Sequence, residues 1–195
     1  MILGVCGSPR VQTTDYTLRK ALTMLDALGH KTVFWGVQGK DIGFCTHCNY
    51  CLKGGDCLIK DDMQSLYPLL EEATAYIFAT PVYNGGISAQ IKAVIDRTRA
   101  LSARNKNAFR NKVGAAIAIG GDRSGGQELA IQQIITFYTL NGVITISGGV
   151  FGANLGAALW SKDSLEGLKN DEEGFKVLRK VVKRLDEYLQ GRNDV

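Results

Sequence analysis

Ile2-Leu3-Gly4-Val5-Cys6-Gly7-Ser8-Pro9-Arg10-Val11-Gln12-Thr13-Thr14-Asp15 is the stretch on which the fold turns. Its opening is a short uncharged run closed by Gly7-Ser8, which reads as a buried strand of a parallel sheet. A polar loop follows. Beyond it Leu18, Leu22, Leu25 and Leu28 recur on one helical face until Gly29 stops the helix. Strand, short polar loop, helix is the opening unit of a doubly wound α/β fold. The N–H groups of such a loop, with the N-terminus of its helix, form an anion site. Ser8, Thr13 and Thr14 add hydroxyls, and Arg10 adds a guanidinium fork that matches phosphate. The plainer reading of Thr13, Thr14 and Asp15 is helix capping alone.

The loop is neither G-x4-G-K-[ST] nor G-x-G-x-x-G. A phosphate loop built of hydroxyl residues suits a mononucleotide such as FMN in a flavodoxin-like arrangement. The rest of the chain repeats the unit. Further strands are expected at Lys31 to Trp35, Ala75 to Ala79, Val113 to Ile119 and Val143 to Ser147. Asp61 or Asp62 caps a helix carrying Met63, Leu66, Leu69 and Leu70. Another helix starts near Ser88 with Ile91, Val94 and Ile95. A third carries Leu129, Ile131, Ile134, Ile135, Tyr138 and Leu140. A last one runs from about Asp171 on Phe175, Leu178, Val181, Val182, Leu185 and Leu189. Phe151 to Ser161 has no assigned structure, and the residues after Gly191 are expected to fray.

Five strands alternating with five helices specify a parallel sheet covered on both faces. The order 2-1-3-4-5 is the simplest fit, with a ligand outside the carboxyl ends of the strands where the order reverses. Two glycine-rich loops lie there: Thr80-Pro-Val-Tyr-Asn-Gly-Gly86 and Gly120-Gly-Asp-Arg-Ser-Gly-Gly126. With the first loop they would meet at one edge.

Cys45-Thr-His-Cys48-Asn-Tyr-Cys51-Leu-Lys-Gly-Gly-Asp-Cys57 interrupts this pattern after the second strand. Thiols packed this densely converge on something. Disulfides rank last, because no secretory signal precedes them and clustered cytosolic cysteines bind metal or react. Zinc sites usually pair two short units across a longer spacer. Three cysteines in succession at x2 intervals suit an iron–sulfur cubane, and Gly54-Gly55 reverses the chain toward Cys57. Zinc remains the rival. His47, inside the hook, reads as a neighbour of the site and not a ligand.

At 195 residues with 45% hydrophobic and 22% charged residues, the chain is expected to be one domain able to bury its own core. The cluster loop would span about 41–60 and the C-terminal helix about 171–190. No apolar run approaches the ~18 residues of a membrane span. A net charge of +4 with scattered basic residues argues against nucleic acid. A cytoplasmic protein is expected, with neither membrane nor nucleic acid as partner. Only His30 and His47 are present, and no Ser/His/Asp set presents itself, so catalysis by side chains is a poor bet.

These residues together resemble the iron–sulfur flavoproteins, a branch of the flavodoxin-like NADPH-dependent FMN reductases. Ser8-Pro9-Arg10 matches the family's G-S-P-R loop. Cys45, Cys48, Cys51 and Cys57 match its compact cluster motif. Pro81-Val82-Tyr83 and Gly85 match the loop under the isoalloxazine ring, and Gly120, Gly121, Arg123 and Gly125-Gly126-Gln127 match the third flavin loop. One departure is Val11-Gln12-Thr13-Thr14, where the family usually has Gly or Asn after the arginine.

The resemblance implies one FMN and one [4Fe–4S] cluster per chain. FMN contacts are expected from Ser8, Arg10, Gln12, Thr13, Thr14, Asp15, Pro81, Val82, Tyr83, Asn84, Gly85, Gly121, Asp122, Arg123 and Gly126. Cluster ligands are expected at Cys45, Cys48, Cys51 and Cys57. It implies a homodimer or a tetramer, with the cluster loop near a subunit interface to which Phe151 to Ser161 could belong. It also implies a ferredoxin-like electron donor. The expected function is electron transfer between a one-electron donor, the cluster and FMN. Two alternatives are an NAD(P)H-dependent FMN or quinone reductase with a structural zinc or cluster loop, and a redox sensor.

Overall fold

Residues 2–6 alternate their side chains between two cores, with Leu3 and Val5 on one face and Ile2 and Cys6 on the other. That is the burial of a strand covered on both sides. The computed structural model describes residues 1–149 and 154–191. In chain order it contains β1 (Ile2–Cys6), α1 (Thr13–Ala27), β2 (Thr32–Gly36), α2 (Tyr67–Glu72), β3 (Ala75–Tyr83), β4 (Gly86–Ile87), α3 (Ala89–Arg97), α4 (Arg99–Arg104), β5 (Val113–Gly120), α5 (Gln127–Leu140), β6 (Ile144–Thr145), β7 (Ala157–Trp160), α6 (Leu165–Lys169) and α7 (Glu172–Gly191).

The central order is β2-β1-β3-β5, all parallel, with β6 and β7 both beyond β5. The expected doubly wound order therefore holds. The fifth strand is corrected. It is not one run over Val143 to Ser147 but two short pieces: β6 pairs with the start of β5 (Val113↔Ile144) and β7 with its end (Gly120↔Trp160). β6 ends at Thr145, and Gly149, four residues on, takes a φ of 93°, which a strand does not use. The C-terminal part of the stretch left unassigned is β7. Residues 150–153, and those after Gly191, lie outside the described residues.

Other boundaries also moved. β3 continues past Ala79 to Tyr83, through Pro81, which pairs in register with Ile119 of β5. Proline is tolerated there because β1 stops pairing at Ala79, so the strand has lost one neighbour. Two short helices, α4 and α6, were not anticipated. Leu129 and Leu140 of α5 are exposed.

One core lies between the sheet and α2 to α5. It centres on Tyr76, Phe78, Phe109, Phe137 and Tyr138, whose rings meet at centroid distances of 5.6–6.1 Å. The Tyr138 hydroxyl donates to Ala115 O (3.1 Å) and accepts from Phe78 N (3.2 Å), so it is satisfied between β3 and β5. The other core joins the opposite face to α1 and α7 through Leu18, Leu22, Leu25, Leu178, Val181 and Leu185. Each such side chain, fully buried, contributes about 1.5–3 kcal/mol. His30 pairs with Asp186 of α7 at 2.7 Å, a contact far from the glycine loops. Among the described residues no helix is long and apolar enough to cross a membrane.

Candidate functional site

Three loops meet where β1, β3 and β5 end. Gly7 N donates to Ala79 O at 2.7 Å, which fixes the start of the first loop against β3. Ser88 Oγ donates to Gly7 O (2.7 Å) and accepts from Ile91 N (3.2 Å), so the N-cap of α3 also ties down the first loop. The second loop is a two-residue hairpin. Asn84 (φ 49°) and Gly85 (φ 78°) form the turn, with Tyr83↔Gly86 the first pair of β3 and β4. Two successive positive φ values make this the primed turn that Asn-Gly favours. The dipeptide was visible in the sequence, yet its hairpin was read only as a turn-forming loop.

Gly126 opens α5 at φ 106°, and a Cβ there would lie 2.6 Å from Gly85 Cα. The second and third loops thus touch backbone to backbone, an approach only glycine permits. Gln127 organises the third loop. Its amide donates to Asp122 O (2.6 Å) and Leu159 O (3.3 Å) and accepts from Gly125 N (2.9 Å). The sequence reading matched Gln127 to a motif but gave it no role.

Thr13 and Thr14 are buried in the first turn of α1, and Ser8 is buried just before it. Thr14 Oγ1 is buried with no hydrogen-bond partner. A buried hydroxyl left unpaired costs about 1–3 kcal/mol, and this one sits where backbone N–H groups and the helix dipole favour an anion. That is the fit expected for the phosphate of FMN. Ser8 Oγ already serves the loop, donating to Arg10 O (2.8 Å) and accepting from Arg10 N (3.1 Å). Arg10 and Gln12 are exposed at the rim. Asp15 is paired with Arg19 at 2.8 Å, and Arg19 stacks on Phe34 of β2 at 3.7 Å. Burial pushes the nearby Cys6 thiol up to about 12, so it is a protonated core group.

Pro81 is buried, Val82 is half-buried beside Ile87, and Tyr83 and Asn84 are exposed at the hairpin tip. Gly121 passes close under the Asp163 carboxylate, and Asp122 is exposed. Arg123 does not reach back to the first loop; its guanidinium lies 4.9 Å over the Trp160 ring at the end of β7.

The cysteine loop leaves the end of β2 and has little regular structure beyond a 3₁₀ turn at Tyr50–Lys53. His47 (φ 54°), Asn49 (φ 59°) and Gly54 (φ 83°) bend it with positive φ values. Cys45, Cys48, Cys51 and Cys57 line one pocket, together with Ile59, Arg97, Arg99 and Ala100. Among the described residues no group of three or more His, Cys, Asp or Glu could hold a single metal ion. A cluster with its own width is ligated from around a cavity and does not need its ligands to converge on one point. Four cysteines lining one pocket supply the ligand set that such a cluster needs. His47 Nδ1 and Asn49 Oδ1 contact Arg99 at 3.2 and 2.7 Å, so His47 is engaged outside the thiol set.

The loop is clamped at both ends by one buried side chain. Arg97 Nη1 donates to Gly43 O (2.8 Å) and Asp61 Oδ2 (2.7 Å); Nη2 donates to Ile59 O (3.1 Å) and Asp61 Oδ1 (3.0 Å). Gly43 N returns a bond to Asp61 Oδ2 at 2.7 Å. Both side chains are sealed, at 1% and 4% exposure. Burial alone would push the Asp61 carboxyl up, but the Arg97 fork and the Gly43 and Met63 amides outweigh it and hold it below the usual range. Burial likewise opposes the Arg97 charge, and Asp61 overrides it. Sequence reading saw Asp61 as a helix cap, which it also is, through Met63 N at 3.2 Å. Arg97 was missed. The signal was its phase, because it falls three residues after Val94 on the buried face of α3.

Residues 1–158 match the family of NADPH-dependent FMN reductases. An iron–sulfur flavoprotein from Archaeoglobus fulgidus is 62% identical over 190 residues, covering 97% of each chain. A second, from Methanocaldococcus jannaschii, is 46% identical over 97% of this chain and 96% of its own. Among solved structures, RosB with bound 8-demethyl-8-formylriboflavin-5'-phosphate superposes with a TM-score of 0.77 over 100% of this chain and 80% of that one. At 15% identity it shows the shared fold alone. The loop sequences, the sheet order and these relatives agree that the chain belongs to the NADPH-dependent FMN reductase family and, within it, to the iron–sulfur flavoproteins.

Proposed function

We propose that this protein is an electron-transfer flavoprotein that holds FMN at the three glycine-containing loops and a [4Fe–4S] cluster on Cys45, Cys48, Cys51 and Cys57. The observation that carries the reading is the pairing of two cradles in one chain: an unpartnered buried Thr14 hydroxyl at a helix N-terminus, and four thiols around a single pocket. When bound, a cluster passes electrons singly and FMN takes one or two, so together they join single-electron delivery to two-electron chemistry.

The chain's own part is binding and insulation. Thr14 Oγ1, the N–H groups at the start of α1 and Arg10 hold the phosphate. The touching backbones of Gly85 and Gly126, with Tyr83, would help hold the flavin ring. The Arg97–Asp61 clamp holds the ends of the cysteine loop so that its thiols face one cavity. No side-chain nucleophile or acid–base pair is required. A ferredoxin-like one-electron donor is the favoured source of electrons, and the exposed apolar residues of the loop, Phe44, Leu52 and Leu58, give such a protein a surface to meet.

The test is reduction of the anaerobic holoprotein by reduced ferredoxin and, separately, by NADPH. Rapid bleaching of flavin by ferredoxin, lost in Cys57→Ala while FMN stays bound, supports the reading. Full-rate reduction by NADPH, unaffected by Cys57→Ala, overturns it in favour of a pyridine-nucleotide reductase.

A further inference from the structure

Arg97 has five N–H groups, and four are accounted for: two on Asp61, one on Gly43 O and one on Ile59 O. The fifth, on Nε, is buried without an acceptor. An unpaired buried donor is costly, and proteins rarely keep one without a use. Arg97 lines the same pocket as the four cysteines. Of those cysteines, Cys51 and Cys57 are the half-buried pair, packed against the same core as Val94 and Ala100.

We propose that Arg97 Nε–H is a hydrogen-bond donor to cluster sulfur on the inner, protein-facing side of the pocket, and that it sets the cluster's reduction potential besides clamping the loop. This rests on the two-cofactor reading. A donor to sulfur stabilises the more negative, reduced cluster and so raises its potential. Asp61 cancels the net charge of Arg97, so the directed N–H carries the effect. Cys45 and Cys48 are exposed while Arg97 is buried on the protein side of the pocket, which makes the cluster's surroundings asymmetric.

Wild-type holoprotein and Arg97→Lys, purified without oxygen, are compared by iron content and by redox titration of cluster and FMN. Lysine keeps a positive charge opposite Asp61 but lacks the Nε–H. A cluster potential shifted downward in Arg97→Lys, with the FMN potential unmoved, is the expected result. An unchanged cluster potential at full iron content overturns the proposal. Arg97→Lys could fail to keep its cluster, so a second measurement uses the wild type alone. Pulsed EPR of the reduced cluster, with isotopically labelled arginine, is expected to show an arginine nitrogen and an exchangeable proton coupled to it; absence of both overturns the proposal. A wild type that folds and binds FMN with no iron overturns the two-cofactor reading itself.

Discussion

The glycine loops and the cysteine loop leave the ends of strands in the same sheet, but they are held by opposite means. The glycine loops are held by backbone. Gly7 N bonds Ala79 O, Gly126 lies on Gly85, and the Asn84-Gly85 turn closes a hairpin. Little side-chain mass is involved, and the shape is complete without an occupant. The cysteine loop has almost no ladder of its own; its ends are held by one buried ion pair, Arg97 with Asp61, and its middle by exposed contacts from Arg99 and Arg104. The difference teaches where each site is vulnerable. The first fails when a Cβ intrudes, and the second fails when one remote side chain is lost.

The sharpest way to break the comparison is Cys57→Ala. Iron should fall from about four per chain, the cubane's stoichiometry, to almost none, with FMN retained at the other cradle. Loss of FMN as well would mean the two sites are one cooperative unit.

Next comes Asp61→Asn. Removing one partner of a buried ion pair costs about 3–5 kcal/mol. Chemical denaturation should show a loss of that order, iron retention should drop, and FMN affinity should hold. The same pair predicts an acid effect. The carboxyl is lowered from its ordinary 3.8, so its stabilisation is complete above that pH and is lost as pH falls through the lower folded value. Iron-free wild type should therefore release the loop only in strong acid, followed by proteolysis between Cys45 and Cys57, and Asp61→Asn should lack that transition.

Thr14→Val sharpens the other side. Its hydroxyl has no partner in the protein, so the FMN-free protein should lose no stability. FMN binding should weaken by about 1.5–3 kcal/mol, the worth of a hydrogen bond to a charged group. An unchanged FMN affinity would place the phosphate elsewhere. The smallest effect is expected for Arg10→Ala, because exposed charge pairs are worth about 0.2–1 kcal/mol. Titration calorimetry at low salt would read it.

What the sequence revealed follows the same division. Local signals were enough to locate the first four strands, the three loops and the cysteine hook, because each is written in adjacent residues. Pro81 misled the boundary of β3, since nothing local says that β1 stops pairing at Ala79. The split fifth strand was hidden because β6 and β7 are each too short to show a period. Arg97 was missed as a support because its partners lie 36 to 54 residues away, and Gln127 because one partner, Leu159, lies 32 residues away and the others are backbone groups of its own loop. Asp15 is paired with Arg19, an i,i+4 contact that helix spacing did contain.

The most direct test of the account is the composition of protein purified without oxygen: its visible spectrum with iron, acid-labile sulfide, zinc and FMN per chain. The account predicts flavin bands over a broad cluster absorption, with one FMN and about four irons and four sulfides. Flavin bands with one zinc and no sulfide would contradict it, leaving the cysteine loop a structural clip on a flavin reductase.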